Sequence, residues 1–479
     1  MDATLTYIAI AIFILVGTGI AWLSKRFLRK EAKDFYAASG RFGTVLASLS
    51  YAATTYSAFM FIGLVGMAYA TGVGTLGFEL VYLVGTLFLL YHIAPKYWTL
   101  HKKYGYITPA EVLSDRYGSG GVGVAVTLLS LVALIPYAAS QVIGVAVAAE
   151  GASSGAVTFS TAVVIAIAVA LLWAAIAGIW SVGLTDVFQG IVMVCTGVIM
   201  VCFVYWQGFG QRPLDLAALG SLSYVPSSTW TFANFVNMTL PWFFFAITNP
   251  QVVQRLFAPK TKEAQRGMIT WFGIYGITFT VIVTLLGLML RLMTADGAFP
   301  LIANRDAVTP TLLSMLPAWL SIMGLVAVIA ASVSTIDGII LTLSSMTVRD
   351  VLRRYAKGVT QKAEIAVARI TIVAIAIACT IFALSKPGFI VDLAVLSSSL
   401  LLPQVPVVIG MFVWCRGGKW TAVATIVAGF GVALALYLLK ASPLDIPANV
   451  WTIAASTLVY VAAAAIEGKT EGAARFVEA

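Results

Sequence analysis

The sequence predicts an all-α polytopic membrane protein, and three observations carry that prediction. Of the 479 residues 60% are hydrophobic and only 10% charged, with a mean hydropathy of +0.97, whereas soluble domains average about 45–50% apolar and about 25% charged residues. Apolar runs of about 20 residues, the length that crosses a bilayer as a helix, recur from end to end with short connections. Lysine and arginine fall between those runs, as membrane orientation requires. The uninterrupted series reads as one transmembrane domain over residues 1–479 rather than several soluble units.

Thirteen runs are expected, beginning near residues 5, 42, 76, 121, 157, 185, 233, 268, 310, 364, 388, 419 and 447. The first follows Asp2 and precedes Lys25, Arg26, Arg29, Lys30 and Lys33, so it reads as a spanning anchor that starts outside, not as a cleaved signal. An odd count then puts the C-terminus in the cytoplasm. With this topology the 29 basic residues divide 24 inside to 5 outside, the latter being Arg212, Arg291, Arg305, Lys386 and Lys440. The formal charge of +9 is therefore topogenic, and no nucleic-acid partner is expected. Cys195, Cys202, Cys379 and Cys415 form no CxxC pair and read as packing residues.

Two runs are irregular. The second contains SYAATTYSAFMFIG, residues 50–63, where Thr54, Thr55, Tyr56 and Ser57 follow one another at mid-depth. Four adjacent hydroxyls either bond back onto their own helix or mark a break at which carbonyls turn outward. The seventh, NFVNMTLPWFFFAITNPQVVQR, carries Pro241, Asn249 and Pro250, which permit either simple kinks or an interruption. Broken helices five spans apart in opposite orientations point to a 5+5 inverted-repeat transporter core with its site at the repeat interface. The repeats are expected over roughly 42–208 and 233–414, with peripheral helices at 5–24, 419–440 and 447–466. The two halves share no visible sequence symmetry.

A second polar cluster, ASVSTIDGIILTLSSMTVRD, spans residues 331–350. On a helix Ala331, Ser334, Thr335 and Gly338 share one face, because steps of three and four return to the same side. A hard monovalent cation such as Na⁺ takes about five or six oxygens, and hydroxyls of that face plus carbonyls freed at a helix break would supply them without charge.

These residues resemble the sodium:solute symporters over nearly the whole chain. The resemblance rests on SYAATTYSAFMFIGLVGMAYATG, YGYITPAEVLSDRYGS, LTDVFQG, NPQVVQRLFAPKTKEAQRG and ASVSTIDG taken together. It implies the leucine-transporter-like fold with an extra leading helix, Na⁺ as coupling ion, and a sodium site built from Ala53, Tyr56, Ala331, Ser334 and Thr335, with Ser57 beside them. It also implies a cation role for Asp186, which Asp337 would join as a second site, although Asp186 also reads as a helix N-cap. Within the family the loop after run 3 and IPYAASQVIGVAV are similar to the monocarboxylate, pantothenate and proline branches.

Glu79 matches a position where sugar-carrying relatives set a glutamate against the solute, but it also reads as a solvated helix end. The wall of Trp242, Phe243 and Phe245 suits a small, partly apolar solute better than a sugar. The solute-binding residues implied are Thr55, Ser57, Met60, Glu79, Trp242 and Phe245. No Lys or Arg is expected at mid-depth, so an anionic solute would rely on N–H groups at the helix break and on the bound cation. The expected function is sodium-coupled import of a small carboxylate or amino-acid-like solute by alternating access at the cell membrane. The alternatives are a sugar or polyol symporter and a sensor or channel of the same fold. With only His92 and His101, and neither HExxH nor a nucleophile elbow, an enzyme is not expected. Nor is a bound cofactor, and the partners foreseen are solute, Na⁺ and lipid around a monomer.

Overall fold

In the computed structural model, which describes residues 3–29, 32–210, 214–356 and 358–479, the chain is a helical bundle. Asp2, which flanks the first run, and Lys30, Arg212 and Lys357, which entered the count of basic residues, lie outside the described residues. Nine described helices are long and apolar enough to cross a membrane, or eleven if each of two bent pairs is one span. The count of thirteen is therefore not reached. The short apolar helix Phe159–Trp173 falls below that length, and the segment from 232 to 255 is divided into pieces of 12, 4 and 6 residues.

The chain opens with α1 (Ala3–Ser24). It continues through α2 (Thr44–Thr55), a wider turn over Phe59–Leu64, and α3 (Val65–Thr71). Next come α4 (Gly74–Tyr104), α5 (Gly120–Ala152), α6 (Phe159–Ala177) and α7 (Ile179–Phe209). The divided segment gives α8 (Phe232–Phe243) and α9 (Pro250–Arg255), and α10 (Lys262–Ala295) and α11 (Ala318–Met346) follow. After α12 (Gln361–Leu384), α13 (Ile390–Leu401) and α14 (Gln404–Val413) form the second bent pair. The chain closes with α15 (Lys419–Leu439) and α16 (Ala448–Glu467), which pack on each other.

Helix α11 is central. Its apolar window is 94% buried, against 17% for the span containing α12, and it packs on α7 and α5. Hydroxyls tolerated along a helix so enclosed need partners in neighbouring elements.

Each interruption has a local cause. Helix α2 stops where Thr54 and Thr55 combine β-branching with hydroxyls that compete for backbone bonds, and Tyr56 turns extended at φ −92°, ψ 114°. The chain bends by 51° there. Asn249 is extended (φ −89°, ψ 108°) because it precedes Pro250, which then starts α9. Pro241 stays inside α8 and makes no break. A third interruption, a 48° bend between α13 and α14, was not expected, although Pro403 stands at it.

At the end of the bundle with the most basic loops, the short helix Pro109–Arg116 opens with a capping box between Thr108 and Glu111. Thr108 Oγ1 also donates to Asp350 (2.8 Å), and Arg349 pairs with Glu111 (2.7 Å), fastening this helix to the end of the α11 span. At the opposite end Arg305 pairs with Asp392 at 2.5 Å and lies 4.3 Å from the Phe389 ring. Asp392 is thus the partner of Arg305.

Next to that pair, Asp306 is 7% exposed and accepts from the Ile390 N–H at 2.9 Å. Burial pushes its carboxyl up to about 6 from an ordinary 3.8, although the Ile390 N–H and Arg305 act in the other direction. A carboxyl that binds its proton more tightly when folded adds stability below the unfolded pKa and loses it as pH rises through the folded one. Relative to Asp306→Asn, the wild-type thermal midpoint should therefore fall as pH rises from about 4 to about 6. Parallel curves in a thermal-melt series would refute this.

Candidate functional site

The site begins at the break after α2. A residue at ψ 114° withdraws its carbonyl from the helical ladder, which is what Tyr56 does, and carbonyls one turn earlier lose their usual donors. Helix α11 supplies replacements. Ser334 Oγ lies 2.8 Å from the Ala53 carbonyl and 3.0 Å from that of Ala331. Thr335 Oγ1 lies 3.2 Å from the Thr54 carbonyl and 3.3 Å from that of Ala331. Ala53, Ala331, Ser334 and Thr335 are all fully buried, and Tyr56 ends the same turn. The five residues expected to hold sodium therefore lie on two facing elements. Thr54 joins them through its carbonyl. A hydroxyl can rotate its proton away and present lone pairs, so this oxygen set can exchange its mutual hydrogen bonds for a cation.

One turn below the break lies the charged cluster. Asp186 Oδ2 accepts from Ser50 Oγ at 2.7 Å and is 3.0 Å from Arg255 Nη2, with Thr54 Oγ1 at 3.4 Å. Arg255 is 3% exposed and also donates to Ser50 Oγ and the Gln251 carbonyl. Asp337 is fully buried, and neither of its oxygens has a hydrogen-bond partner among the described residues. It lies within electrostatic reach of Asp186 and Arg255. Gly338 makes room here, because a Cβ on it would meet the guanidinium at 3.2 Å.

Two expectations need correction at this cluster. Asp186 is not an N-cap: α7 starts at Ile179 with Gly178 as its cap, so Asp186 is a helix-interior residue. It stands close to the break, where it bonds Ser50 and Thr54. Arg255, counted among loop charges, is buried inside the bundle. Its position in QVVQR at the end of the interrupted segment was the available signal.

The expected solute residues divide. Thr55 spends its hydroxyl on the Tyr51 carbonyl of its own helix (2.7 Å), and Met60 is buried in the turn beyond the break. Trp242 and Phe245 stack at 5.1 Å and 24°. Tyr82 stands at 74° and 89° to these two rings, and Tyr137 at 77° and 86°. Phe59 covers the Trp242 ring at 4.9 Å. Ser57 Oγ accepts from the Phe59 N–H at 3.3 Å and from Tyr137 OH at 3.5 Å. Glu79 is 1% exposed, which rules out a solvated helix end. It lies within electrostatic reach of Tyr56, Tyr82 and Tyr137. Sequence reasoning missed Gln141, whose Oε1 accepts the Ala58 N–H at 3.0 Å and so covers a donor freed by the break. Its place in IPYAASQ beside Tyr137 was the only hint.

Known proteins share this architecture. A solved Na⁺-coupled sialic acid symporter, described as substrate-bound, outward-open and revealing a novel Na⁺-site, superposes with a TM-score of 0.80 over 96% of each chain at 16% identity. MHP1, a nucleobase-cation-symport-1 family transporter solved in a closed conformation, gives 0.63 over 94% of this chain and 99% of its own at 14% identity. Among curated sequences, the uncharacterized symporter YodF of Bacillus subtilis (strain 168) is 27% identical over 194 residues, 40% of this chain and 39% of that protein. A monocarboxylate transport permease protein of Rhizobium johnstonii is 29% identical over 149 residues, 30% of each chain. The chain thus spans about two fifths or less of the length of these relatives. The sequence model of the Sodium:solute symporter family matches residues 35–429, most of the chain and every element of the site, and the protein belongs to that family.

Proposed function

We propose that the protein is a sodium-coupled symporter that imports a small polar organic solute, carboxylate or amino-acid-like, by alternating access, with its N-terminus outside and its C-terminus in the cytoplasm. The observation that carries this reading is the meeting of Ser334 and Thr335 with the carbonyls released at the α2 break. In hydrocarbon such oxygens must be satisfied, and a sodium ion that replaces their mutual bonds would lock α2 to α11 in one geometry. Ala53, Tyr56, Ala331, Ser334 and Thr335 are its proposed ligands. Asp186 and Asp337 are a second cation station, lying one turn nearer the basic end, and the aromatic box with Glu79 and Ser57 is the solute site.

Because the box abuts the same break, ion and solute favour the same arrangement of that turn, which is the condition for coupling. The likeness to a monocarboxylate permease supports a small organic solute. The test is uptake into proteoliposomes under an inward sodium gradient, across amino acids, short carboxylates, pantothenate, sugars and polyols. Concentrative uptake of a small carboxylate or amino acid that collapses when sodium is replaced by potassium is the expected result. Uptake indifferent to sodium for every compound would refute the reading.

A further inference from the structure

The solute site holds a carboxyl group that no described residue answers. Both oxygens of Glu79 are buried without a hydrogen-bond partner among the described residues, as are Tyr82 OH and Trp242 Nε1. A buried carboxylate in that condition is strongly unfavourable unless something brings positive charge or donors to it. Its surroundings reinforce the sign. Aromatic rings present negative faces, and Tyr82 and Tyr137 both lie within electrostatic reach of the carboxylate. They stand crosswise to the parallel pair Trp242 and Phe245. Meanwhile two N–H groups near the break that would attract an anion are already taken, Ala58 by Gln141 and Phe59 by Ser57.

The site therefore sets an unanswered carboxyl among apolar walls, and with the Ala58 and Phe59 N–H groups taken it keeps few donors for an anion beyond Tyr82 OH and Trp242 Nε1. A bare carboxylate finds repulsion at Glu79, and a polyol finds rings where it needs several hydrogen-bonding partners. A primary, secondary or methylated ammonium finds both of the interactions that hold such groups, a carboxylate and ring faces. We propose that the solute carries an ammonium group, held by Glu79 and by the rings of Tyr82 and Tyr137. This narrows, and rests on, the reading of the same site as that of a sodium-coupled symporter.

The test compares ammonium probes with isosteres that lack the charge, on the full wild-type chain in saturating sodium chloride. Choline is paired with 3,3-dimethylbutanol and L-proline with cyclopentanecarboxylate, with propionate and inositol added. Thermal-melt titration and proteoliposome uptake are the readouts. At least one ammonium probe should bind with an affinity about tenfold or more above its isostere, and Glu79→Gln should erase that preference.

Equal responses within both pairs, a response confined to cyclopentanecarboxylate, propionate or inositol, or an ammonium preference that survives Glu79→Gln would each overturn the proposal. So would the absence of any response. In that last case sodium alone distinguishes the two failures. If sodium chloride, but not potassium chloride, still raises the melting midpoint and Ser334→Ala abolishes the rise, only the ammonium inference falls. If sodium has no effect either, the symporter reading falls with it.

Discussion

Removing the hydroxyls that face the α2 break should produce the largest change in sodium dependence of any substitution in the protein. In Ser334→Ala or Thr335→Ala the half-saturating sodium concentration should rise about 5- to 150-fold, because a lost oxygen at a buried polar position costs about 1–3 kcal/mol. The double substitution should exceed either single one without equalling their sum, since the two residues share the Ala331 carbonyl. Solute affinity measured at low sodium should fall in parallel. Reciprocity between linked sites requires it, and saturating sodium should restore solute binding.

A role confined to joining helices predicts something different. Both hydroxyls bridge α2 to α11, so their loss would lower the melting midpoint equally with and without sodium. Melting curves of wild type and variants in sodium and in potassium separate the two cases. A wild-type midpoint insensitive to sodium, or an unchanged sodium curve for uptake by the double variant, would remove these residues from the ion site.

How much of this was readable from the string differs by element. The α2 break was readable because its cause is local: a run of hydroxyl and β-branched residues cannot all be satisfied within one helix. The matching face on α11 was readable because helical spacing places Ala331, Ser334 and Thr335 together. The bend at Pro403 was passed over, since proline also sits inside uninterrupted helices of this chain at Pro95 and Pro136. Asp186 was misplaced because α6 and α7 are joined through a single glycine, Gly178 at φ +56°, and periodicity offers no boundary between two apolar helices so connected. The burial of Glu79 depends on distant residues. Trp230 packs where a Cβ on Gly74 would stand, and the Val73 N–H reaches the Leu222 carbonyl, so the segment around 216–231 seals the start of α4. No local pattern encodes such a cover.

The cluster of Asp186, Arg255 and Asp337 should show the second large effect. Asp186→Asn removes the negative charge that faces Arg255, and taking one member from a buried ion pair costs about 3–5 kcal/mol. Asp337, without a hydrogen-bond partner among the described residues, is the carboxylate to which the guanidinium can turn. The variant should thus fold with a lowered melting midpoint, yet bind solute normally in saturating sodium, because the aromatic box lies on the other side of the break. What should change is turnover. A cation passing toward the basic end meets two carboxylates and one guanidinium, and neutralising Asp186 leaves that station with no net charge to attract it. Steady-state uptake should slow, and the dependence of rate on sodium should become less steep.

A purely structural pair makes a separable forecast. Replacing both partners, as in Asp186→Asn with Arg255→Gln, removes the uncompensated charge and should recover much of the stability. If the pair served only to hold α7 against α9, that double variant would also regain wild-type turnover and sodium dependence. If Asp186 attracts the ion, stability returns while the altered sodium dependence remains. The kinetics of this double variant at graded sodium therefore decide the role, and full recovery of transport would assign Asp186 to packing alone.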